Sequence, residues 1–330
     1  MALESFLTDD LTPALVQEVE QFLDSQQTGH IFQFPRWAGA GSRLMLWREN
    51  GAIRWAGTFG VQFPLGRKVP WIRALTATRG PVCDNFNLWQ MAADEFAEKI
   101  SRENFAYFEV SPDWPQGTEG MPLRVLDSSK WKCCGMERVS LRLDLTRSED
   151  QIFAGFRKNT RYEVRRAERL NATVRTASNE VEIDDFMSLY EDFAARKRFR
   201  AESHHEVRTL IGWLINTESR GALLLARADD RVCGGAVIAR CGRRCSYIWG
   251  ASHQQEDLNV GHILQWRGLQ WAKSHGCTEY DFGGYTPGAT SGPAWFKAGF
   301  GGSVVHFTPP YRRVTRAGRY RISRLFSRTR

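Results

Sequence analysis

The residues that could do chemistry are concentrated between Tyr280 and Gly302, where seven glycines are set among large aromatic residues around one lysine, Lys297. Glycines among aromatic side chains predict a backbone that bends sharply or is approached closely, because glycine tolerates both. Phe296 precedes the lysine, and Asp281 stands near the start of the stretch. The ammonium group of Lys297 is either the charged tip of a surface side chain or a cation directed at an anionic ligand. This stretch alone leaves both interpretations open.

A second group of charged residues falls on a predicted helix. Its six cations are Arg157, Lys158, Arg161, Arg165, Arg166 and Arg169. Spacings of three and four residues place several of these cations on one helix face. The pattern is typical of a track for the phosphates of RNA or of a phosphorylated acceptor. It is also typical of a solvated helix held by pairs between the arginines and two interspersed glutamates.

Composition sets further bounds. The 330 residues, 42% of them hydrophobic, predict two folded domains of about 150 residues each. The formal net charge of +8 favours an anionic partner. The segment 311–330 carries eight arginines and no acid. Such a segment is typical of an arm that adheres to RNA or to an anionic membrane surface, and also of a disordered end.

No signal peptide and no apolar run long enough to span a membrane is present. We therefore expect a cytoplasmic protein in peripheral contact with the inner membrane face. Seven cysteines without a CxxC pair predict reduced thiols. The pair His204-His205 lacks a third ligand at useful spacing, so we expect no metal site.

Hydrophobic periodicity predicts the same order of elements twice: helix, hairpin, strand, helix and strand. In the second half this order includes one helix over 148–170 and another over 264–275. A duplicated α/β unit accounts for the repetition. We predict two tandem α/β domains, 1–145 and 146–312, with mixed sheets flanked by helices, followed by a basic tail over 313–330.

The element order resembles the GNAT acyltransferase fold, in which one helix separates the last two strands of the motif. In members that use acetyl-CoA, a Gln/Arg-x-x-Gly-x-Gly/Ala loop opens that helix and its amides bind the pyrophosphate. The corresponding stretch here is 257–263, where Gly261 is the only motif glycine and Leu258 replaces the Gln or Arg. This resemblance implies an alternative function, an N-acyltransferase that uses acyl-CoA.

A more specific set of motifs lies in the second half. In order, they are Tyr247-Ile-Trp-Gly250, Asn259, Gln265-Trp266, Tyr280-Asp-Phe-Gly-Gly and Phe296-Lys-Ala-Gly-Phe-Gly-Gly302. Upstream come the basic helix, with Tyr162, and a segment that ends Ala195-Arg196-Lys-Arg-Phe199. The first half contributes Gln33-Phe-Pro-Arg-Trp37 and Arg79-Gly-Pro81. Together these motifs resemble the FemABX family of aminoacyl-tRNA-dependent peptidyltransferases, which are built from two GNAT-like domains.

The resemblance implies transfer of an amino acid from aminoacyl-tRNA to the amine of a peptide-type acceptor, and it leaves open whether that acceptor is phosphate-bearing or free. That acceptor would be a peptidoglycan precursor, or a peptide or nucleoside natural product, and no cofactor is implied. Two features depart from the family: no lysine closely follows Trp37, and no coiled-coil arm lies between 145 and 310. A third hypothesis is a non-catalytic protein that keeps the fold and binds RNA or a membrane.

The resemblance also implies roles for individual residues. Lys297 would lie near the reacting ester or the tRNA 3′ end, Phe296 would position it or stack on the terminal adenine, and Asp281 would orient the amine or cap the turn. The substrate-binding residues implied are Arg79, Trp37, Arg157, Lys158, Arg161, Tyr162, Arg165, Arg196, Tyr247, Gly250, Asn259, Gln265 and Tyr285.

Overall fold

The computed structural model describes residues 2–39, 41–101, 103–117, 130–217, 219–228, 231–253 and 259–327. The chain divides into two compact units. Unit 1 comprises Met1–Arg138 and His306–Arg330, and unit 2 comprises Val139–Val305. Within the residues described, every helix is too short or too polar to traverse a lipid bilayer.

Both units combine strands and helices. The strands are β1 (Ala2–Leu7), β2 (Arg43–Glu49), β3 (Ala52–Gln62), β4 (Arg73–Thr78), β5 (Val82–Cys83), β6 (Phe105–Ser111), β7 (Lys132–Cys133), β8 (Val139–Asp144), β9 (Thr173–Thr176), β10 (Gly221–Ala228), β11 (Arg231–Cys241), β12 (Arg244–Ser252), β13 (Glu279–Gly284), β14 (Ser303–His306) and β15 (Tyr311–Val314). The helices are α1 (Pro13–Ser25), α2 (Phe86–Ser101), α3 (Glu149–Ala154), α4 (Lys158–Arg169), α5 (Glu180–Lys197), α6 (His204–Ile215), α7 (Val260–Ser274), α8 (Gly292–Ala298) and α9 (Ala317–Ser327).

The sheet of unit 1 has the order β1-β2-β3-β4-β6-β15-β7, and β5 pairs with β3. The β4–β6 pairing is parallel, which makes the sheet mixed. One face packs aromatic side chains, among them Trp55, Phe59 and Phe96, into a core where Phe59 and Phe96 stack at 4.4 Å. Burial of several large rings accounts for much of the stability of this unit.

The sheet of unit 2 has the order β14-β8-β13-β12-β11-β10-β9. From β8 to β9 along this order the neighbouring strands are antiparallel, except that β12 runs parallel to β13. Helix α7 connects these two parallel strands and packs its apolar side, including Leu264 and Leu269, into the core of the unit. The predicted α/β architecture with mixed sheets is confirmed in both units.

The division of the chain differs from the predicted domain limits of 145 and 312. Strand β8 belongs to unit 2 because it pairs with β13. Strand β15 pairs with β6 and β7, so the C-terminal segment returns to unit 1. The basic tail predicted over 313–330 is therefore the end of a strand and a helix of unit 1 as far as Ser327, and residues 328–330 lie outside the described residues.

The single helix predicted over 148–170 is wrong, because the structure contains two helices there, α3 and α4. Gly155 is the C-cap of α3, and Arg157 is the N-cap of α4. The Arg161 guanidinium donates hydrogen bonds to the carbonyl oxygens of Ala154 and Phe156, which lie at this break. Periodicity missed the break because the residues around it keep helical spacing.

Candidate functional site

The parallel strands β12 and β13 separate in unit 2. They pair over three positions, the last of which joins Ser246 to Asp281. Beyond that point the register of β12 against β11 shifts by one residue between Tyr247 and Trp249, which is the signature of a β-bulge. We call the group around this separation the strand-end site, and it comprises Tyr247, Gly250, Gly283, Phe296 and Lys297.

The Tyr247 side chain packs closely against Gly250 at the bulge. A Cβ atom on Gly250 would lie 1.9 Å from the Tyr247 hydroxyl, so a side chain at position 250 would displace the tyrosine. Burial raises the pKa of the Tyr247 phenol to about 12. The phenol therefore stays protonated at neutral pH and can donate a hydrogen bond.

Asp281 shapes the end of β13. It is 1% exposed and accepts hydrogen bonds from Arg142 Nε at 3.2 Å, from the Ser140 hydroxyl and from the Gly283 backbone amide at 2.7 Å. Gly283 has φ +74°, a conformation that favours glycine. The aspartate is thus enclosed by protein groups and holds the turn at Gly283.

Lys297 and Phe296 project from the short helix α8. Lys297 Nζ donates a 2.8 Å hydrogen bond to the Gly284 carbonyl oxygen and lies 3.9 Å from the place of a Cβ on Gly283. Both side chains are half-buried. The ammonium group therefore lies at the end of β13, where the strands separate, and carries the positive charge of this site.

His262 is a residue of this neighbourhood that the sequence did not single out. Its ring packs 4.9 Å from that of Phe296 and is only 7% exposed. Burial lowers its pKa to about 4, so the imidazole is neutral at pH 7. Its Nδ1 atom has no hydrogen-bond partner among the described residues. A single histidine placed two residues before the predicted helix over 264–275 gave no signal in the sequence for this burial.

Helix α4 reaches the same part of unit 2 through Arg157. This guanidinium lies 3.8 Å over the Trp295 ring, and the Arg157 amide donates to the Gly299 carbonyl oxygen at 2.8 Å. A Cβ on Gly299 would lie 2.3 Å from the Thr160 hydroxyl, so glycine permits this packing of α8 on α4. The other residues of this helix that were predicted to bind substrate differ in exposure. Lys158, Arg165 and Tyr162 are exposed, whereas Arg161 is half-buried at the helix break.

Four other residues that were predicted to bind substrate lie at different places in unit 2. Arg196 is exposed and donates to the carbonyl oxygen of Ser252, the last residue of β12. Asn259 is the exposed N-cap of α7, and residues 254–258, including Leu258, lie outside the described residues. Tyr285 is half-buried against the core. Gln265 is 2% exposed and accepts a 3.0 Å hydrogen bond from Tyr280, so it is a core residue rather than a substrate contact.

The predicted elements of the first half meet inside unit 1. The Gln33 side chain bonds to the backbone of Thr58 and Thr78, and a Cβ on Gly80 would lie 2.1 Å from the Gln33 amide carbon. Half-buried Trp37 stacks on Phe32 at 5.0 Å.

Arg79 forms an ion pair within unit 1. It is 9% exposed and donates to Asp113 at 2.9 Å. Arg138 also donates to Asp113, and its guanidinium lies 3.8 Å over the Phe307 ring. Arg79 is thus a member of a buried ion pair, and this explains why its charge is not presented to an acceptor phosphate here.

Comparisons with known proteins fit this geometry. A model of the acetyltransferase (GNAT) domain family matches residues 154–297. The chain is 20% identical to the lipid II:glycine glycyltransferase of Staphylococcus epidermidis over 348 aligned residues, which cover 81% of this chain and 82% of that protein. The crystal structure of FemX covers 97% of this chain and 99% of its own, with a TM-score of 0.80 and 17% identity.

The chain is similar in sequence to a lipid II:glycine glycyltransferase and has the fold of FemX. The structure of L-PGS from Bacillus licheniformis is also similar, with a TM-score of 0.61, 10% identity and 96% of each chain covered. The predicted resemblance to the FemABX family and the predicted GNAT-like fold are therefore confirmed. In this FemX-like fold, the strand-end site lies at the separation of the two parallel strands of unit 2, within the segment that the GNAT model matches.

Proposed function

We propose that this protein transfers an amino acid from aminoacyl-tRNA to an amine of a peptidoglycan precursor. The homology to a lipid II:glycine glycyltransferase supports the acceptor class. The observation that carries the proposal within this chain is the position of the Lys297 ammonium at the glycine turn that ends β13. The degenerate pyrophosphate motif argues against acyl-CoA as the donor.

The reaction requires few catalytic groups from the protein. The acceptor amine attacks the carbonyl carbon of the aminoacyl ester, a C–N bond forms, and the C–O bond to the ribose breaks. The amine loses a proton, and the departing ribose oxygen gains one. A tetrahedral oxyanion forms between these steps, and a fixed cation stabilises it more than it stabilises the neutral ester. We assign that task to Lys297, with the protonated Tyr247 phenol as a hydrogen-bond donor to the bound substrate.

The donor end of the site is aromatic and basic. Half-buried Phe296 and Trp295, which is 48% exposed, offer faces on which the terminal adenine can stack. Arg157 lies over Trp295, and exposed Lys158 and Arg165 follow along α4. This series of cations suits the phosphates of the tRNA acceptor stem, so donor binding should weaken steeply with salt.

A transfer assay tests the proposal. Charged tRNAs, each carrying one radioactive amino acid, are incubated with the protein and with a lipid-linked or nucleotide-linked peptidoglycan precursor. Label in a ribonuclease-resistant product that contains the precursor is expected from at least one tRNA, and that tRNA names the donor. No transfer from any charged tRNA, together with acylation of the precursor from acyl-CoA by the same preparation, would replace this function by the acyl-CoA alternative.

A further inference from the structure

Two segments that lack acidic residues meet on unit 1. Residues 50–83 contain no Asp or Glu, and neither do residues 303–330, although more than two hundred positions separate the segments. The structure joins them through one apolar cluster on the face of the sheet opposite the main core of unit 1. Its buried members are Ile72, Ala74, Ala106 and Tyr107, and packed against them are Leu65, Val69, Tyr320 and Ile322.

The inner side of α9 is fixed to this cluster. The Tyr320 ring meets the Tyr107 ring edge to face at 5.6 Å, and Arg312 lies 4.3 Å over the Tyr107 ring while bonding to Glu109. Ser323 is 3% exposed. Because this side of the helix is held, the exposed side chains of Arg321, Arg324 and Leu325 lie on its outer side.

The loop between β3 and β4 lies against the same cluster through Leu65 and Val69. Successive backbone hydrogen bonds, Gly66 to Phe63 at 2.8 Å and Val69 to Gly66 at 3.0 Å, hold the loop in turns. Three other side chains of the loop face solvent: Arg67 and Lys68 are exposed, and Trp71 is 51% exposed.

We propose that these exposed side chains form a docking surface for an anionic lipid membrane. We call it the α9 surface, and it comprises Arg67, Lys68, Trp71, Arg321, Arg324 and Leu325. Cations within a Debye length of anionic headgroups are attracted to them, and a tryptophan prefers the interface between headgroups and acyl chains. The exposed Leu325, at 69%, has no use in a stacked or hydrogen-bonded RNA contact but gains free energy among acyl chains.

Binding to vesicles tests the α9 surface with the full-length protein. The wild type should sediment with vesicles of equal phosphatidylglycerol and phosphatidylcholine, should not sediment with pure phosphatidylcholine, and should dissociate as salt is raised. Reversing one charge in each segment, Arg67→Glu with Arg321→Glu, should weaken binding at least about 25-fold, because each cation at an anionic surface contributes about fivefold. Trp71→Ala with Leu325→Ala should also weaken binding while leaving its salt dependence in place.

Arg175→Glu with Arg231→Glu is the matched control. Both residues are exposed strand residues of unit 2, and the pair changes the net charge by the same amount. Equal losses in the two double variants would overturn the proposal, since bulk charge alone would then explain binding. Binding to tRNA that depends on Arg67 and Arg321, without binding to the anionic vesicles, would also overturn it and would assign the surface to RNA. Vesicle binding needs no turnover, so this result is independent of the transfer assay.

Discussion

The backbone amide of Gly283 donates a 2.7 Å hydrogen bond to the buried carboxylate of Asp281, two residues earlier on the same strand. This contact holds the left-handed turn at Gly283, and the next carbonyl oxygen, that of Gly284, accepts the hydrogen bond from Lys297. The carboxylate itself is held by Arg142 and Ser140 on the adjacent strand β8. The buried ion pair of Asp281 with Arg142 therefore positions the Lys297 ammonium group, because it holds the turn whose carbonyl oxygen accepts the hydrogen bond from Lys297.

Two substitutions separate positioning by Asp281 from direct catalysis. Asp281→Asn keeps an oxygen that can accept from Gly283 but removes the buried one of the two carboxylates on β13 that pair with Arg142, and leaves Glu279 at 3.0 Å as the other. We expect a loss of about 2 kcal/mol in the free energy of unfolding, with kcat retained within about fivefold. Asp281→Ala removes the acceptor as well, so kcat should fall further.

Ser140→Ala is the control for this pair, since it deletes one hydrogen bond to the same carboxylate without removing a charge and should cost about 2 kcal/mol. A loss of more than about a hundredfold in kcat for Asp281→Asn, with its melting temperature little changed, would show that the carboxylate takes part in proton transfer.

Lys297→Met should abolish most transfer without unfolding the protein. The half-buried ammonium carries the charge that we assign to oxyanion stabilisation, and loss of such a group typically lowers kcat about a hundredfold or more. Lys297→Arg keeps the charge but changes its reach, so partial activity is expected. Lys132→Met, at an exposed strand position of unit 1, is the matched control and should behave as the wild type. Unchanged transfer by Lys297→Met would remove this residue from the mechanism.

Gly250→Ala should displace the Tyr247 ring, since the new Cβ would lie 1.9 Å from the hydroxyl and 2.8 Å from the ring carbon that bears it. Overpacking of this kind typically costs about 1–3 kcal/mol. Tyr247→Phe alone should cost less, and the double variant should lose less than the sum of the two, because removal of the hydroxyl relieves the worst contact. Denaturant unfolding of all four proteins measures this coupling, and strict additivity would mean that the two residues do not touch in solution.

The sequence predicted the architecture better than it predicted individual roles. Alternation of apolar residues and the repeated element order were enough to predict two α/β units, because sheet faces and helix stripes have to be buried in either unit. The same signal could not separate α3 from α4, since the break depends on Arg161 bonding to carbonyl oxygens at one particular place. It also missed α8, which forms inside a stretch whose seven glycines argue against a helix.

The site residues were harder to predict from the sequence, for a related reason. The family resemblance implied that Lys297, Gln265 and Arg79 lie close to substrate, but exposure distinguishes them. Lys297 is half-buried at a strand end, whereas the other two are enclosed with partners of their own. Burial of a polar side chain depends on contacts between distant segments, and neither periodicity nor a short motif contains that information. The catalytic and substrate-binding roles stay predictions until variants are measured.

His262 should make the stability of unit 2 depend on pH. Burial lowers the pKa of this imidazole from 6.5 to about 4, so the unfolded chain binds a proton at pH values where the folded chain does not. Stability from this residue is therefore complete above pH 6.5 and is lost as the pH falls toward 4. The loss amounts to about 3 kcal/mol if the ring stays buried.

Denaturant unfolding at a series of pH values between 7 and 4 measures this effect. His262→Phe, which keeps a ring of similar shape against Phe296, should remove the His262 part of the slope. The matched control, His205→Gln at an exposed position of α6, should leave the slope as in the wild type. If His262→Phe follows the wild-type profile throughout, the imidazole must take up its proton in the folded state, and this would require a partner for Nδ1 that forms in solution.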